Sequence, residues 1–380
     1  MKVNAPFLKD PDVQKMLTLF GPDEVYFVGG CVRNLLLNVP ISDLDISTPV
    51  LPNDVMLRAA QAGLKSIPTG IEHGTVAVIV GGTPFEITTF RKDVETDGRR
   101  AVVAFAKTLE EDAQRRDFTM NALYLKPDGL IADPVAGLPD LETRHFRFIG
   151  NPSTRIREDA LRILRFFRLH ACYGAGKLNA AGLSACADHV ALIDTLSRER
   201  IGSEFQKLLT ASAPARVLQK MEAIGALGLV LKEATLSDLE AGLSGWPEGD
   251  WLYRLALLAG NDASGDLRLS RAEANQLERI LSASRHEDDP AALGFKFGVY
   301  VGRAALHLRA ARSGQVLSPT DIKSLQRGAE AKFPLVASDL MGQFQGAELG
   351  MALRRAEALW IASDFKLSRP DILAALQKND

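Results

Sequence analysis

The sequence predicts an α+β chain: a mixed strand-and-helix head ends near residue 147, and an all-helical remainder follows. Two observations lead there. Short runs rich in β-branched and aromatic residues crowd the first 150 positions and then fade. After Asn151-Pro152 come long stretches rich in Leu, Ala, Arg and Glu. They are broken at Gly174, Pro214, Gly245, Pro247, Pro290, Pro319 and Pro334, and so read as many short helices.

Within the head, residues 24–28, 44–47, 75–80, 84–90 and 122–125 carry the strand pattern. Gly81-Gly82 lies between the third and fourth runs and reads as a hairpin turn. Residues 53–62 and 109–114 read as helices between strands. The polar, glycine-containing segment 91–105 reads as a mobile loop or an ordinary surface loop. A chain of 380 residues suggests several domains, and we expect boundaries that give 1–147, 148–212 and 213–380. No fixed-period repeat is visible.

The 46% apolar and 24% charged composition is that of an ordinary soluble globular protein. No run approaches 18 apolar residues, so no membrane span is expected. The first twenty residues lack the order of a signal peptide. Cys31, Cys172 and Cys186 form no CxxC pair, which argues for a reducing cytoplasm and against a disulfide framework or zinc site. The net charge of −2 gives no global sign of nucleic acid. Locally, residues 144–168 hold seven arginines against Glu158 and Asp159 alone, enough to hold phosphates. A solvated charged helix is the other reading of that stretch.

The most informative segment runs from Tyr26 to Thr48. A strand leads into Gly29-Gly30 and a helix starts just after. Glycines there let the backbone approach a ligand closely, and helix N–H groups then point at it, an arrangement that suits phosphate. Arg33 adds a planar cation. In Asp43-Leu44-Asp45-Ile46, strand alternation sends Leu44 and Ile46 inward and sets Asp43 and Asp45 side by side outside. Two adjacent carboxylates repel unless a cation lies between them, and hard oxygen ligands select Mg²⁺ or a similar ion. A capping or exposed Asp pair is the alternative. Glu86 alternates with apolar neighbours; it either faces the aspartates from the next strand or is an outward polar residue.

With these residues in hand, the chain resembles the polymerase-β-like nucleotidyltransferases, and within them the class II tRNA nucleotidyltransferase/bacterial poly(A) polymerase family. Gly29-Gly30-Cys31-Val32-Arg33 followed by Asp43-Leu44-Asp45 resembles its GGxVR…DxD motif. Arg115 to Ala122 resembles its RRDFTxNA motif, Arg157 to Arg165 its EDxLRxxR motif, and Leu196 to Phe205 its SRERI segment. Asn34 stands where the family usually has Asp, and Asn38 where Gly is common. No His-Asp dipeptide occurs, so the phosphohydrolase domain of some relatives is not indicated.

The resemblance implies a nucleotidyltransferase head (1–147), a helical neck carrying a nucleotide-selecting helix (148–212), and a helical body and tail that bind tRNA (213–380). It implies template-independent addition of C and A to the tRNA 3′ end from CTP and ATP. Asp43 and Asp45 would hold two Mg²⁺ ions, with Glu86 as a third catalytic carboxylate. Gly29, Gly30, Arg33 and Arg116 would cradle the triphosphate. No membrane and no protein partner is indicated.

Read as one helix, residues 159–169 gather Ala160, Ile163, Leu164 and Phe167 into a buried stripe and set Asp159, Arg162, Arg165 and Arg168 opposite, three apart. The family reading of that polar side is a protein template for the incoming base. Cytosine and adenine each present an amino donor beside a ring-nitrogen acceptor. A carboxylate only accepts and a guanidinium only donates, so Asp159 beside Arg162 matches C and A. Guanine and uracil present the reverse order, and each unpaired buried group costs about 1–3 kcal/mol. Arg165 would contact triphosphate or help position the template pair, and Arg168 extends the same cationic row. In the resemblance, the 91–105 loop helps the site change between C and A.

The six histidines show no metal-ligand spacing, and Phe295, Phe297, Phe344, Trp360 and Phe365 read as core. Rivals to CCA addition are poly(A) synthesis, C-only or A-only transfer, a non-catalytic RNA-binding protein on a degenerate transferase scaffold, and a small-molecule nucleotidyltransferase. The intact Asp43, Asp45, Arg116 and Asp159/Arg162 set argues against the binding protein, and the long helical remainder fits poorly with a small-molecule enzyme. Bacterial poly(A) polymerases tend to carry a basic stretch before the DxD, whereas Asn38-Val39-Pro40-Ile41 occupies that place here.

Overall fold

The computed structural model describes residues 1–97, 100–259 and 262–377. The chain divides into two compact units, Met1–Val230 and Leu231–Asp380.

The first unit is built on a seven-stranded mixed sheet. Its strands are β1 (Tyr26–Val28), β2 (Asp45–Thr48), β3 (Lys65–Gly70), β4 (Thr75–Val80), β5 (Thr83–Thr89), β8 (Tyr124–Leu125) and β9 (Ile131–Ala132), in the order β3-β4-β5-β2-β1-β8-β9. β2 and β5 run parallel; the other described neighbours in this sheet are antiparallel. Gly81 and Gly82 close the β4–β5 hairpin with φ of 59° and 90°, the left-handed pair that a two-residue turn needs.

Residues 91–105, expected as a loop, form an antiparallel ribbon instead. β6 (Arg91–Asp97) pairs with β7 (Arg100–Phe105), Arg91 opposite Phe105. The Asp97-Gly98 dipeptide is a hairpin signal that the composition-based reading passed over. Gly98 and Arg99 lie outside the described residues. β3 and β9 were also not expected; β3 is largely exposed along its length and so lacks an apolar alternation.

The helices of this unit are α1 (Pro11–Leu17), α2 (Gly30–Leu36), α3 (Pro52–Gln61), α4 (Leu109–Gln114), α5 (Leu138–Glu142), α6 (Pro152–Glu158), α7 (Leu161–Tyr173), α8 (Ala180–Asp188), α9 (Arg198–Leu209), α10 (Ala215–Ala223) and α11 (Ala226–Val230). Asp10, Thr108, Asn151, Asn179 and Ser197 accept from backbone N–H groups at the starts of α1, α4, α6, α8 and α9. Tyr26, Val28, Phe90 and Tyr124 pack one core of the head. Phe118, Phe146, Phe148 and Phe166 stack into a second, tying α7 to the sheet side of the unit. Ala160, Ile163, Leu164 and Phe167 are all buried, as their spacing requires. α10 and α11 pack on α7 and α9, so the first unit extends past residue 212.

The second unit is helical, from α12 (Leu239–Gly245) through α13 (Trp251–Leu258), α14 (Ala263–Asp266), α15 (Arg271–Arg285), α16 (Pro290–Ser313), α17 (Pro319–Glu330) and α18 (Gly346–Ala362) to α19 (Arg369–Gln377). Gly298, at φ 80°, interrupts α16. Trp360 is buried and packs against Phe295, Phe333 and Phe365, so these aromatics belong to the core. Among the described residues no helix is long and apolar enough to cross a membrane.

Candidate active site

Gly29 links β1 to α2 with φ 78° and ψ −130°, a conformation that suits glycine. A Cβ built there would lie 3.5 Å from Asp45 Oδ2 and 4.0 Å from Arg116 Nη1. The bare backbone therefore lets a carboxylate and a guanidinium converge beside the start of α2. Asn38 holds the left-handed turn after α2 at φ 55°. Asparagine tolerates that region, so its place at a glycine position is physically consistent.

Asp45 opens β2 and is directly paired with Glu86 on β5. Both are exposed, between Ile46, Phe85 and Ile87, which are buried. The two carboxylates thus stand side by side on one face. Asp43 lies two residues before Asp45, outside the strand, and accepts from Ser42 Oγ at 2.8 Å. The Asp45 carboxyl is raised above the ordinary carboxylate range. Crowding by protein is the largest cause, and the charges of Glu86 and Asp43 add to it against the pull of Arg116 and Arg165.

Among the described residues nothing donates a hydrogen bond to the Asp45 carboxylate. Nor are three His, Cys, Asp or Glu side chains already gathered into a metal cage. A pair of under-satisfied carboxylates still fits a hard divalent cation. Such an ion takes one or two protein carboxylates and completes its shell with phosphate and water.

Asp43 and Asp45 line two cavities of opposite character. One, about 740 Å³, is acidic: Asp10, Asp12 and Glu86 join the pair, with Phe7 and Phe85. The other, about 330 Å³, is bordered by Gly30, Arg33, Asn34, Arg168, Tyr173 and Lys207.

Arg33 is the buried cation of the second cavity, 6% exposed. Its Nη1 donates to Asn121 Oδ1 at 2.6 Å, its Nε and Nη2 to Asn34 Oδ1 at 3.2 and 2.9 Å, and it lies 4.1 Å above the Tyr173 ring. No carboxylate is salt-bridged to it among the described residues. Burial, and then the charge of Arg168, push its pKa down. A buried guanidinium held by amides and an aromatic face is short of an anion.

Arg116 is fastened from behind. Asp112, fully buried, receives its Nη2 at 2.9 Å and also bridges Arg115 at 2.6 Å. Ser47 Oγ and Tyr124 Oη receive further donors of Arg116. Burial alone would raise Asp112, but the two arginines hold it below the usual carboxylate range; burial and the charge of Arg116 leave Arg115 down near 10. Nη1 of Arg116 is left facing Gly29 and Asp45.

On the neck side the expected geometry needs correcting. Asp159 is not in a helix with Arg162. Its backbone is extended, at φ −150° and ψ 106°, between α6 and α7. Its Oδ1 accepts the Leu161 N–H at 3.1 Å, and both oxygens accept Arg200 Nη2 at 2.9 Å. Arg162 turns instead to Glu158 at 2.6 Å and to the carbonyls of Arg155 and Arg115. Spacing by three holds only inside a continuous helix, and the break at 159 removes it. Arg165 pairs with Asp117, whose other oxygen accepts from Asn121, and Arg168 pairs with buried Glu204. Against burial, the charge of Arg165 holds the Asp117 carboxyl down.

The sequence reading missed Asp112, Asn121, Tyr173, Arg200 and Glu204. Asp112 and Glu204 are acids on apolar helix faces, a signal present in the sequence; the partners of the other three are set by tertiary contacts.

The fold and this site define the class of the protein. The family model described as “Poly A polymerase head domain” matches residues 25–147, and “Probable RNA and SrmB- binding site of polymerase A” matches residues 178–236. A CCA-adding enzyme of Bacillus cereus (strain G9842) is 33% identical over 320 residues, 80% of this chain and 79% of the relative. A CCA-adding enzyme of Limosilactobacillus fermentum is 43% identical over 200 residues; the match covers 52% of this chain and about half (49%) of that relative's length. The solved structure of Bacillus stearothermophilus CCA-adding enzyme in complex with CTP superposes with a TM-score of 0.74 at 28% identity, covering 99% of this chain and 98% of the other. A Thermotoga maritima CCA-adding enzyme complexed with tRNA shares the fold, with a TM-score of 0.71 at 17% identity over 97% of this chain and 96% of the other. The chain belongs to the CCA-adding enzyme family.

Proposed function

We propose that the chain adds C and A nucleotides to the 3′ end of tRNA, without a nucleic-acid template, using CTP and ATP in the cytoplasm. The observation that carries the reading is that Asp43 and Asp45 line one cavity together with Arg33, Arg168 and Lys207, while Glu86 stands beside Asp45 on the neighbouring strand. Such a site takes a cation-bound triphosphate with its α-phosphate near the carboxylates.

Asp43 and Asp45 would hold Mg²⁺, as two ions, which would acidify the attacking 3′-hydroxyl and neutralise the departing pyrophosphate. Glu86 supports Asp45 from the neighbouring strand. Gly29 and Gly30 let the phosphates approach, and Arg33 and Arg116 hold them in a fixed fork geometry. Arg168, tied to Glu204, lies on the cavity wall, and Arg165, tied to Asp117, helps position the template pair.

Asp159 and Arg162 read the base. Arg162 has five N–H donors; its contacts to Glu158 and two carbonyls use three and leave two, Nε–H among them, for a ring nitrogen. Glu158 thus anchors Arg162 without exhausting it. In this reading residues 1–147 are the catalytic head, 148–212 the neck, and 213–380 the part that grips tRNA.

The test is to incubate tRNA lacking its terminal CCA with CTP, ATP or both, and to sequence the products. CCA addition gives short C extensions with CTP alone, nothing with ATP alone, and CCA with both. Extension by ATP alone would establish poly(A) synthesis and overturn the proposal.

A further inference from the structure

We propose that Arg200, on α9, is a positioning residue for base selection: it leaves Asp159 with one acceptor site aimed at the incoming nucleotide. The inference rests on the reading of Asp159 as the group that accepts the base's amino proton. An ionised carboxylate offers about four lone-pair sites on its two oxygens. Arg200 Nη2 lies 2.9 Å from both oxygens and takes one site on each. The Leu161 N–H takes another on Oδ1 at 3.1 Å. One site, on Oδ2, remains. Cytosine N4 and adenine N6 each bring one amino group to their pairing edge, so one fixed acceptor suits both.

The position of Arg200 makes it fit for this. Ser197 caps α9 and accepts the Arg200 N–H, so the residue sits in the helix's first turn, opposite the extended backbone of Asp159. With the backbone at 159 outside any helix, the Leu161 N–H and Arg200 are the described contacts that orient this carboxylate. The pair is partly exposed, 48% for Arg200 and 35% for Asp159, so as a surface ion pair it contributes little to stability. Its removal changes the direction of the acceptor and leaves the fold standing.

The test compares the unaltered protein with R200M, R200K and D159N by single-nucleotide incorporation of C, A, U and G into truncated tRNA, with thermal unfolding alongside. In R200M the preference for C over U falls roughly tenfold, the factor carried by one misdirected hydrogen bond of ordinary strength, while the unfolding temperature stays in place. R200K, which returns a cation with donors, recovers part of that preference. An unchanged preference in R200M, an equal loss for all four nucleotides, or no recovery in R200K would overturn the role of Arg200. An unchanged preference in D159N would instead overturn the base-reading role of Asp159, a result distinguishable from the others.

Discussion

Asp45 and Glu86 are directly paired across β2 and β5, the parallel pair of the sheet, so two carboxylates from separate strands share one face. Asp43 adds a third just before the strand. D45N or D43A is expected to abolish nucleotide incorporation with tRNA binding nearly intact. E86Q, which removes a neighbour of the cation-binding pair, should lose about 10–100-fold, the range for groups that support a metal ligand from outside. Single-turnover kinetics with Mg²⁺, beside filter binding of tRNA, check this. Retained turnover in D45N would refute the assignment of the carboxylates.

Arg33 is held by the amide of Asn34, so its charge is oriented but not cancelled. N34D places a carboxylate at the same reach. Asp is the usual residue of the family pattern at this position, so N34D should keep Arg33 oriented and leave KM for CTP and ATP nearly unchanged. R33M, which removes the guanidinium, should raise both KM values by roughly tenfold, about one charge-assisted hydrogen bond. N34D relieves a buried unpaired cation and should raise the unfolding temperature. Steady-state kinetics on both variants and calorimetry on N34D check this; an unchanged KM in R33M would contradict the role given to Arg33.

Asp112 is fully buried between Arg115 and Arg116 and anchors the second of these toward Gly29. D112A strands two guanidinium groups and should destabilise the first unit by about 3–5 kcal/mol. The Asp112 carboxyl titrates below its unfolded value, so its contribution is present above the ordinary carboxylate range and is lost as pH falls through the lowered folded value. Urea unfolding of the unaltered protein should therefore show stability dropping at acid pH, with a smaller drop in D112A.

His307 is buried against Trp246 with its Nε2 unpartnered. Burial, and then the charge of Arg303, press its pKa down to about 4 from 6.5, with Glu248 acting weakly the other way. The unfolded chain takes up the proton more readily. Stability of the second unit is then complete above about pH 6.5 and falls by about 3 kcal/mol as pH drops toward 4. H307F keeps a ring on Trp246 and removes the titration, so it should flatten this part of the curve. Unfolding followed by Trp fluorescence between pH 4 and 8 measures the difference.

By itself the sequence determined what depends on neighbours along the chain. The β4 strand, the Gly81-Gly82 turn, the helix at 109–114 and the buried stripe of α7 follow from local periodicity and turn chemistry. The motif residues Gly29, Arg33, Asp43 and Asp45 were legible for the same reason: their spacing is short and their residue types have few alternatives. Tertiary structure alone decided which groups meet across the fold. The register that sets Glu86 beside Asp45 and the capture of Asp159 by Arg200 are long-range pairings. Each is selected by packing and electrostatics among segments up to 41 residues apart, and no periodicity in the chain encodes them.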